Sequence, residues 1–470
     1  MKKVLCFLCA LLILITSLTV YVGAALHGES ENVTFRLVDE WGDSSYLSGI
    51  TTHSSYNHYG LLNWDVDFAP FENEVNAGMT FRKTGYNVEN EPYYGFGASM
   101  LAFSEYRYFS EKLNEAIENL KAEDAKPGDI KVLKAKMTDY FEYYPVNFVL
   151  DLPEMSVSWV SGSSFSGRGG YYSFYGLTPS RGDGLVKAIN DYLKIPVREN
   201  ESFEIKLHWG DNGSYSLNCN RRNFFDFEFY NAVFSDTLYF TFSNEIYFST
   251  VGTRYLCDTS EIPGGYGIYA LPYGEGEIKY DEITTVYSVP ADCVVQSLSC
   301  DEEKNVLYLT VHENDRYVLH VIDRATMTDI SVIDIFSFTC DDFARVYVYD
   351  DFLVFIKNDT DFCIVKRNSD GTYGFAFSGA MPAEYVADRD YFSYYSTFAF
   401  DGERFVVFTS EVPNVEEISI MSIQPDIMVF TEDGVQYYAK WTCSLGSPLS
   451  PGSYTTYFVG REPGFTVEIS

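Results

Sequence analysis

Val294-Val295-Gln296-Ser297-Leu298-Ser299-Cys300-Asp301-Glu302-Glu303-Lys304-Asn305-Val306-Leu307-Tyr308-Leu309 reads as two strands joined by an acidic turn. The first strand is apolar with polar interruptions, and the second is an unbroken apolar run of the kind that fills a sheet buried on both faces. Three further stretches share the pattern. Leu238 to Phe242 is followed by Asn244-Glu245 and Ile246-Tyr247-Phe248; Val346 to Tyr349 by Asp350-Asp351 and Phe352-Leu353-Val354-Phe355; Thr397 to Phe400 by Asp401 to Arg404 and Phe405-Val406-Val407-Phe408. The turn residues Asn244, Asp301, Asp351 and Asp401 are 57, 50 and 50 positions apart, a near-constant period that makes each stretch one copy of a structural repeat.

Each of the later repeats carries a second hairpin. Tyr317 to Ile322 runs into Asp323-Arg324, Phe362 to Val365 into Ser369-Asp370-Gly371, and Ile427 to Phe430 into Glu432-Asp433-Gly434. Asp-Gly between apolar strands is a strong hairpin signal, and two hairpins per period give four strands. The repeat therefore resembles the blade of a β-propeller. The resemblance is one of architecture, since neither paired Gly-His and Trp-Asp signatures of the WD type nor a kelch diglycine pattern recurs, and Ser369-Asp370-Gly371-Thr372-Tyr373 lacks the spacing residues of a sialidase Asp-box. It implies an all-β fold of four-stranded antiparallel blades, about six to eight in number. The regular blades span about 236–443 within a propeller domain of 30–470. Strands in 453–470, at Thr455 to Val459 and Phe465 to Ile469, are expected to close it by pairing with Val33 to Val38 or Leu47 to Thr52.

The N-terminal half is less regular. Val33 to Val38, Leu61 to Phe68, Met79 to Arg82, Val146 to Leu152 and Phe203 to His208 have strand character, but two helical insertions are expected, at about 104–128 and 178–196. Phe109, Leu113, Ala116, Ile117 and Leu120 mark one helical face, and Leu185, Val186, Ile189 and Leu193 the other. A separate α+β domain over roughly 30–230 is the competing reading.

At the N-terminus, Lys2-Lys3, an apolar run from Val4 to Val22 and Gly23-Ala24-Ala25 form an export signal over residues 1–25. The run is close to spanning length, so it is read as a cleaved signal or an uncleaved anchor. The expected location is extracellular or the cell envelope. With 67 acidic against 33 basic side chains the net charge is −34, which repels nucleic acid and anionic lipid, leaving membrane contact to the N-terminal segment alone. Of nine cysteines, Cys6 and Cys9 lie in that segment; the others, Cys219, Cys257, Cys293, Cys300, Cys340, Cys363 and Cys443, have no zinc-type spacing and read as buried thiols, with one or two disulfides as the alternative.

Few residues suggest chemistry. The Gly-Ser-aromatic loop Ser161–Gly176 presents Tyr171, Tyr172, Phe174 and Tyr175, flat faces suited to a sugar ring or peptide, and these are the candidate ligand-binding residues. Arg168 in this loop lacks the Gly-Lys-Ser/Thr of a nucleotide cradle. Arg181-Gly182-Asp183 is better explained as a helix start than as an adhesion tripeptide. His53, His58, Asp65 and Asp67 lie close in sequence, but residues five apart on a strand face opposite ways. Paired acids such as Asp341/Asp342 and Asp350/Asp351 sit in turns, where their side chains bond local backbone. No nucleophile, metal or cofactor signature is present, so no cofactor, metal or catalytic residue is assigned. Two functions fit: a non-catalytic binding or scaffold module for a glycan, peptide or envelope protein, or a propeller-fold glycan hydrolase or lyase using Asp and Glu carboxylates.

Overall fold

A computed structural model describes residues 12, 14–18, 20–21, 34–58, 62–76, 78–80, 95–99, 110–122, 126–144, 147–151, 187–199, 201–210, 215–219, 228–248, 253–274, 277–382, 396–411, 424–444 and 465–470. The fold is all-β, built of several antiparallel sheets with few helices. The chain forms two compact units, one of residues 1–91, 343–367 and 375–470, the other of 92–342 and 368–374.

In the second unit, Val294–Asp301, Val306–Glu313, Arg316–Asp323 and Thr328–Ser337 form a four-stranded antiparallel meander in chain order. A second sheet orders Phe229–Val233, Thr237–Phe242, Gly267–Gly274 and Thr284–Ser288 in the same way. This corrects the first repeat. Thr237–Phe242 does not turn at Asn244 onto Ile246-Tyr247-Phe248; its hairpin partner is the preceding strand, Phe229–Val233. Glu245–Phe248 instead pairs with Thr253–Leu256 as an inserted hairpin, Glu245 facing Leu256 and Phe248 facing Thr253. The even spacing that began at Asn244 thus came from an insertion whose strands mimic the repeat. Sequence periodicity alone does not say which of two adjacent apolar strands is the partner.

The rest of this unit is smaller. Ile130–Lys136, Ser202–Trp209 and Tyr215–Cys219 form one sheet, and Gly95–Ser99 pairs with Asn147–Asp151. The helix Glu111–Ala122 and a helical segment at 187–192 bury Leu113, Ile117, Ile189 and Leu193 together with Phe203, Ile205 and Leu207. Ser110 caps the first helix, its hydroxyl accepting from the Leu113 N–H at 3.2 Å.

In the first unit, Ala344–Val348, Phe352–Lys357, Asp361–Arg367 and Tyr373–Ala380 form one four-stranded sheet. Ser396–Phe400, Phe405–Glu411, Gln424–Thr431 and Gly434–Ser444 form another, extended by Thr34–Gly42 and Glu74–Asn76. Its second strand shows why the apolar runs are unbroken. Val406 and Phe408 enter one core with Phe35, Phe68 and Trp441, while Phe405 and Val407 enter another with Phe362, Phe398 and Phe430. Both faces of the strand are covered, so alternation disappears. The third sheet orders Phe465–Ile469, Ile50–His58, Leu62–Asp67 and Gly78–Thr80, which places the C-terminal strand against Ile50 to Ser54. Arg404 ties the segment before Ile50 to the last repeat by donating to the carbonyls of Tyr46 at 2.8 Å and Ser48 at 2.7 Å. Thr455 to Val459 lies outside the described residues.

The described residues of the N-terminal apolar run are helical, with Leu12, Leu14, Ile15 and Leu18 exposed. Among the described residues no helix is long and apolar enough to cross a membrane. Of the described cysteines with free thiols, Cys257, Cys293 and Cys363 are buried as small apolar residues would be, whereas Cys300 is only partly buried and Cys340 is exposed, against the expectation.

Candidate functional site

The inserted hairpin is followed by Cys257-Asp258-Thr259-Ser260-Glu261-Ile262-Pro263-Gly264-Gly265-Tyr266, which folds back by successive turns into the third strand. The Asp258 carboxylate accepts from the Ser260 N–H at 2.9 Å, Ile262 N–H donates to Thr259 O at 3.2 Å and Gly265 N–H to Ile262 O at 2.9 Å. Glycine is required at 264, where φ is +78° and a Cβ would lie 2.8 Å from that of Thr285. Pro263 O, held by the hydroxyls of Tyr192 at 3.0 Å and Thr285 at 2.6 Å, pins the outer side of the loop.

Its inner side forms one wall of a groove of about 360 Å³, with Ser288, Val289 and Ala291 on the other. Beneath lies Tyr266, whose hydroxyl donates to Phe242 O at 2.7 Å and accepts from the N–H of Val295 at 3.2 Å and of Asn244 at 3.3 Å. Asn244, the residue expected in a repeat turn, is instead fully buried behind this wall. Its amide nitrogen donates to Ala291 O at 2.9 Å, its carbonyl accepts from Cys257 N–H at 2.8 Å, and its side-chain oxygen is buried without a partner.

Electrostatics decide what the groove can do. Burial pushes the Cys257 thiol up to about 12, and burial with the Glu313 carboxylate beside it does the same for Cys293. Burial also carries the Tyr266 phenol far above its usual range. Asp258 moves the other way, held below the usual carboxylate range by the Ser260 hydroxyl and N–H. At neutral pH the groove offers one carboxylate on an otherwise largely apolar lining, and its Cys257 thiol and Tyr266 phenol stay protonated. Neither group is therefore poised as a nucleophile.

The four aromatics proposed from sequence, Tyr171, Tyr172, Phe174 and Tyr175, lie outside the described residues, as do Arg168 and Arg181-Gly182-Asp183. Asp67 and His53 do meet: they face each other across Ile50–His58 and Leu62–Asp67, with Nδ1 and Oδ1 2.7 Å apart on an exposed face. The side chain of His58 is outside the described residues. The turn acids behave as expected. Asp342 accepts from the Thr339 N–H, and Asp323 and Asp370 are held below the usual range by the hydroxyls and N–H groups of Thr326 and Thr372. Among the described residues no three His, Cys, Asp or Glu side chains could hold a metal ion.

Two clusters were illegible beforehand. Tyr287 in Thr284–Ser288 meets His320 and Asp329 of the neighbouring four-stranded sheet, the tyrosine hydroxyl 3.1 Å from His320 Nδ1 and donating to Asp329 at 3.0 Å. Glu201 is buried, accepting from the Tyr255 hydroxyl, while the Arg198 guanidinium lies 3.6 Å from the centre of the Tyr255 ring. Burial lifts the Glu201 carboxyl above its usual range, and the phenols of Tyr144 and Tyr255 and the charge of Arg198 pull it back only in part. A raised carboxyl is what a glycosidase acid needs, but the groups acting on Glu201 include no second carboxylate. It is a core acid with a cost. Because the folded value is raised, the protonated form favours folding, so its contribution is complete below the unfolded value near 4.3 and is lost as pH rises through the folded value. Glu201→Gln should therefore flatten the decline of melting temperature as pH rises from about 4.3 through the folded value, and leave the protein at least as stable near neutral pH. Parallel melting curves against pH for the two proteins would show that Glu201 is not the group responsible.

No family model matches the chain, and no curated protein does. Among solved structures, a similar one is the crystal structure of Kluyvelomyces marxianus Hsv2, 9% identical, with the match covering 44% of this chain and 59% of that one at a TM-score of 0.19. An overlap of that degree assigns neither fold nor function.

Proposed function

We propose that the chain is an exported or surface-held binding module of β-propeller architecture, without catalytic turnover, that presents end loops to a glycan, peptide or envelope protein. The groove at Cys257–Tyr266 carries this reading, because it is concave and its Cys257 thiol and Tyr266 phenol stay protonated. Propeller architecture is supported by four successive antiparallel sheets, each containing four strands paired in chain order, and by the packing of their first strands. Phe229–Val233 lies beside Val294–Asp301 in one unit, and Ser396–Phe400 beside Phe465–Ile469 in the other, as the inner strands of neighbouring blades do. Six to eight blades would complete the ring. Export is supported by Lys2-Lys3 and the apolar run behind them.

In this reading the loop Ser161–Gly176 adds Tyr171, Tyr172, Phe174 and Tyr175 to the ligand surface, each ring contributing on the order of 1 kcal/mol by stacking. Screening the full chain against immobilised glycans and peptides should give saturable retention with no product, reduced when Tyr171, Tyr172 and Tyr175 are together replaced by Ala. Turnover of a glycan or peptide that is abolished by changing a single Asp or Glu would replace this reading with the hydrolase or lyase.

A further inference from the structure

We infer that the open edge of the sheet formed by Ile130–Lys136, Ser202–Trp209 and Tyr215–Cys219 takes an acidic extended strand of a partner protein, added antiparallel to Ile130–Lys136. Among the described residues this strand pairs with Ser202–Trp209 alone. The phase of that ladder is fixed at both ends, where Trp209 N–H donates to Asp129 O at 3.0 Å and Met137 N–H to Glu201 O at 2.9 Å. Bonding residues alternate along an antiparallel strand, so Lys131, Leu133 and Ala135 serve Ser202–Trp209, while Ile130, Val132, Lys134 and Lys136 turn their backbone groups outward. Lys136 shows the direction, its N–H donating to the Asp139 carboxylate at 3.3 Å. Among the described residues nothing bonds the outward N–H and C=O groups of Ile130, Val132 and Lys134. Three successive outward positions with open donors and acceptors are a template for one more strand. None of them belongs to the groove or to Ser161–Gly176, so this edge would act whether or not those loops bind.

The same three residues set what the added strand must carry. Their side chains stand on the outer face of the sheet, Ile130 54% exposed, Val132 42% and the Lys134 side chain 75%. The surroundings are basic. Ile130–Lys136 holds three lysines and no acid, in a chain of 67 acids and 33 bases. Lys134 and Lys206 share the Glu204 carboxylate at 2.9 and 3.0 Å, so one acid answers two ammonium groups, and Lys136 adds a third.

Lysines on an edge commonly keep a strand from pairing with its own kind, but they complement an acidic one. A second copy of this chain is the weaker occupant, because two bodies of net charge −34 repel each other. An acidic segment of a partner instead meets the lysines within the roughly 8 Å over which charge acts at physiological salt. Read from its N-terminus, an antiparallel strand passes Lys134, Val132 and Ile130 in turn. It should therefore carry an acid and then, at every second residue, two apolar side chains.

The test is fluorescence anisotropy of a labelled, disulfide-closed hairpin peptide whose outer strand reads Glu-Thr-Val-Thr-Val, preorganised to lower the cost of ordering, with the full chain in about 150 mM salt. Saturable binding is expected, with hydrogen-exchange protection gained at the amides of Ile130, Val132 and Lys134. Val132→Pro should abolish it, since proline is tolerated on an edge strand where the N–H faces solvent and it removes the central open donor. Lys134→Glu decides the matter if Val132→Pro fails to fold. It should weaken binding about fivefold, the scale of one cross-strand charge pair, and a Lys-Thr-Val-Thr-Val hairpin should then bind this variant better than the unaltered chain. Lys366→Glu, an exposed change in the first unit, is the charge control and should have little effect. Absence of binding would overturn the inference, as would equal binding of a Val-Thr-Glu-Thr-Val hairpin, equal effects of Lys134→Glu and Lys366→Glu, or protection gained elsewhere. A dimer of the chain alone that Val132→Pro dissociates would overturn it too, by showing that a second copy occupies the edge.

Discussion

Trp441→Ala should destabilise the first unit by about 3–5 kcal/mol, the usual cost of removing a fully buried large aromatic. Trp441 has no exposed surface. Its ring centre lies 5.1 Å from Phe68 and 6.1 Å from Phe71, and its Nε1 donates to Glu72 O at 3.0 Å. The side chain therefore joins Gly434–Ser444 to the segment between Leu62–Asp67 and Glu74–Asn76. The collapse should be read in two ways. Denaturant unfolding gives the free energy, and hydrogen exchange should show early opening of Thr34–Gly42, which pairs with Gly434–Ser444. Trp441→Phe should recover most of the packing but not the hydrogen bond. A loss below about 1 kcal/mol for the alanine variant would mean that this core is not the source of stability assigned to it.

Gly267→Ala should be as severe or worse, by a different mechanism. A Cβ at Gly267 would sit 1.9 Å from Tyr287 O and 3.0 Å from the Cα of Ser288, in the strand with which Gly267 pairs. Backbone cannot yield there as a flexible side chain would. The Gly267 carbonyl also accepts from the Thr241 hydroxyl at 2.8 Å, so moving the strand breaks a buried bond as well. A loss of about 4 kcal/mol or more, or failure to fold, is expected. Gly265→Ala is the control two residues away. Its φ of +84° costs an alanine about 1–2 kcal/mol, and nothing obstructs the methyl group. Equal melting temperatures for the two variants would count against the steric argument.

Local chemistry was the part most readable from sequence. The hairpins at Asp323, Asp370-Gly371 and Asp433-Gly434 fall where their turn residues indicated, because an acid that bonds its own backbone and a glycine in the left-handed region act over four residues. Helix Glu111–Ala122 was likewise readable, from the spacing of Leu113, Ile117 and Leu120. What escaped depends on partners distant in the chain. Nothing near Asn244 signals that its strand neighbour is an insertion, and the groove exists only because residues 257–266 and 288–291 are brought together by Gly267–Gly274 and Thr284–Ser288. The His53–Asp67 contact shows the same limit. Positions on one strand could be assigned to faces, but the register that sets His53 opposite Asp67 belongs to the pair of strands.

Residues 1–91 share a unit with 343–367 and 375–470, whereas the other unit is nearly complete by residue 342. For a chain made from its N-terminus onward, this sets an order of events. The early strands emerge first but must wait, with Phe35, Val66 and Phe68 uncovered, until Phe408, Ile427 and Trp441 have been synthesised. Ile50–His58 waits longer still, gaining Phe465–Ile469 only at the end. The segment made first is therefore the last to be sheltered, and a truncated or stalled product would expose an apolar, strand-forming surface to proteases and to other chains.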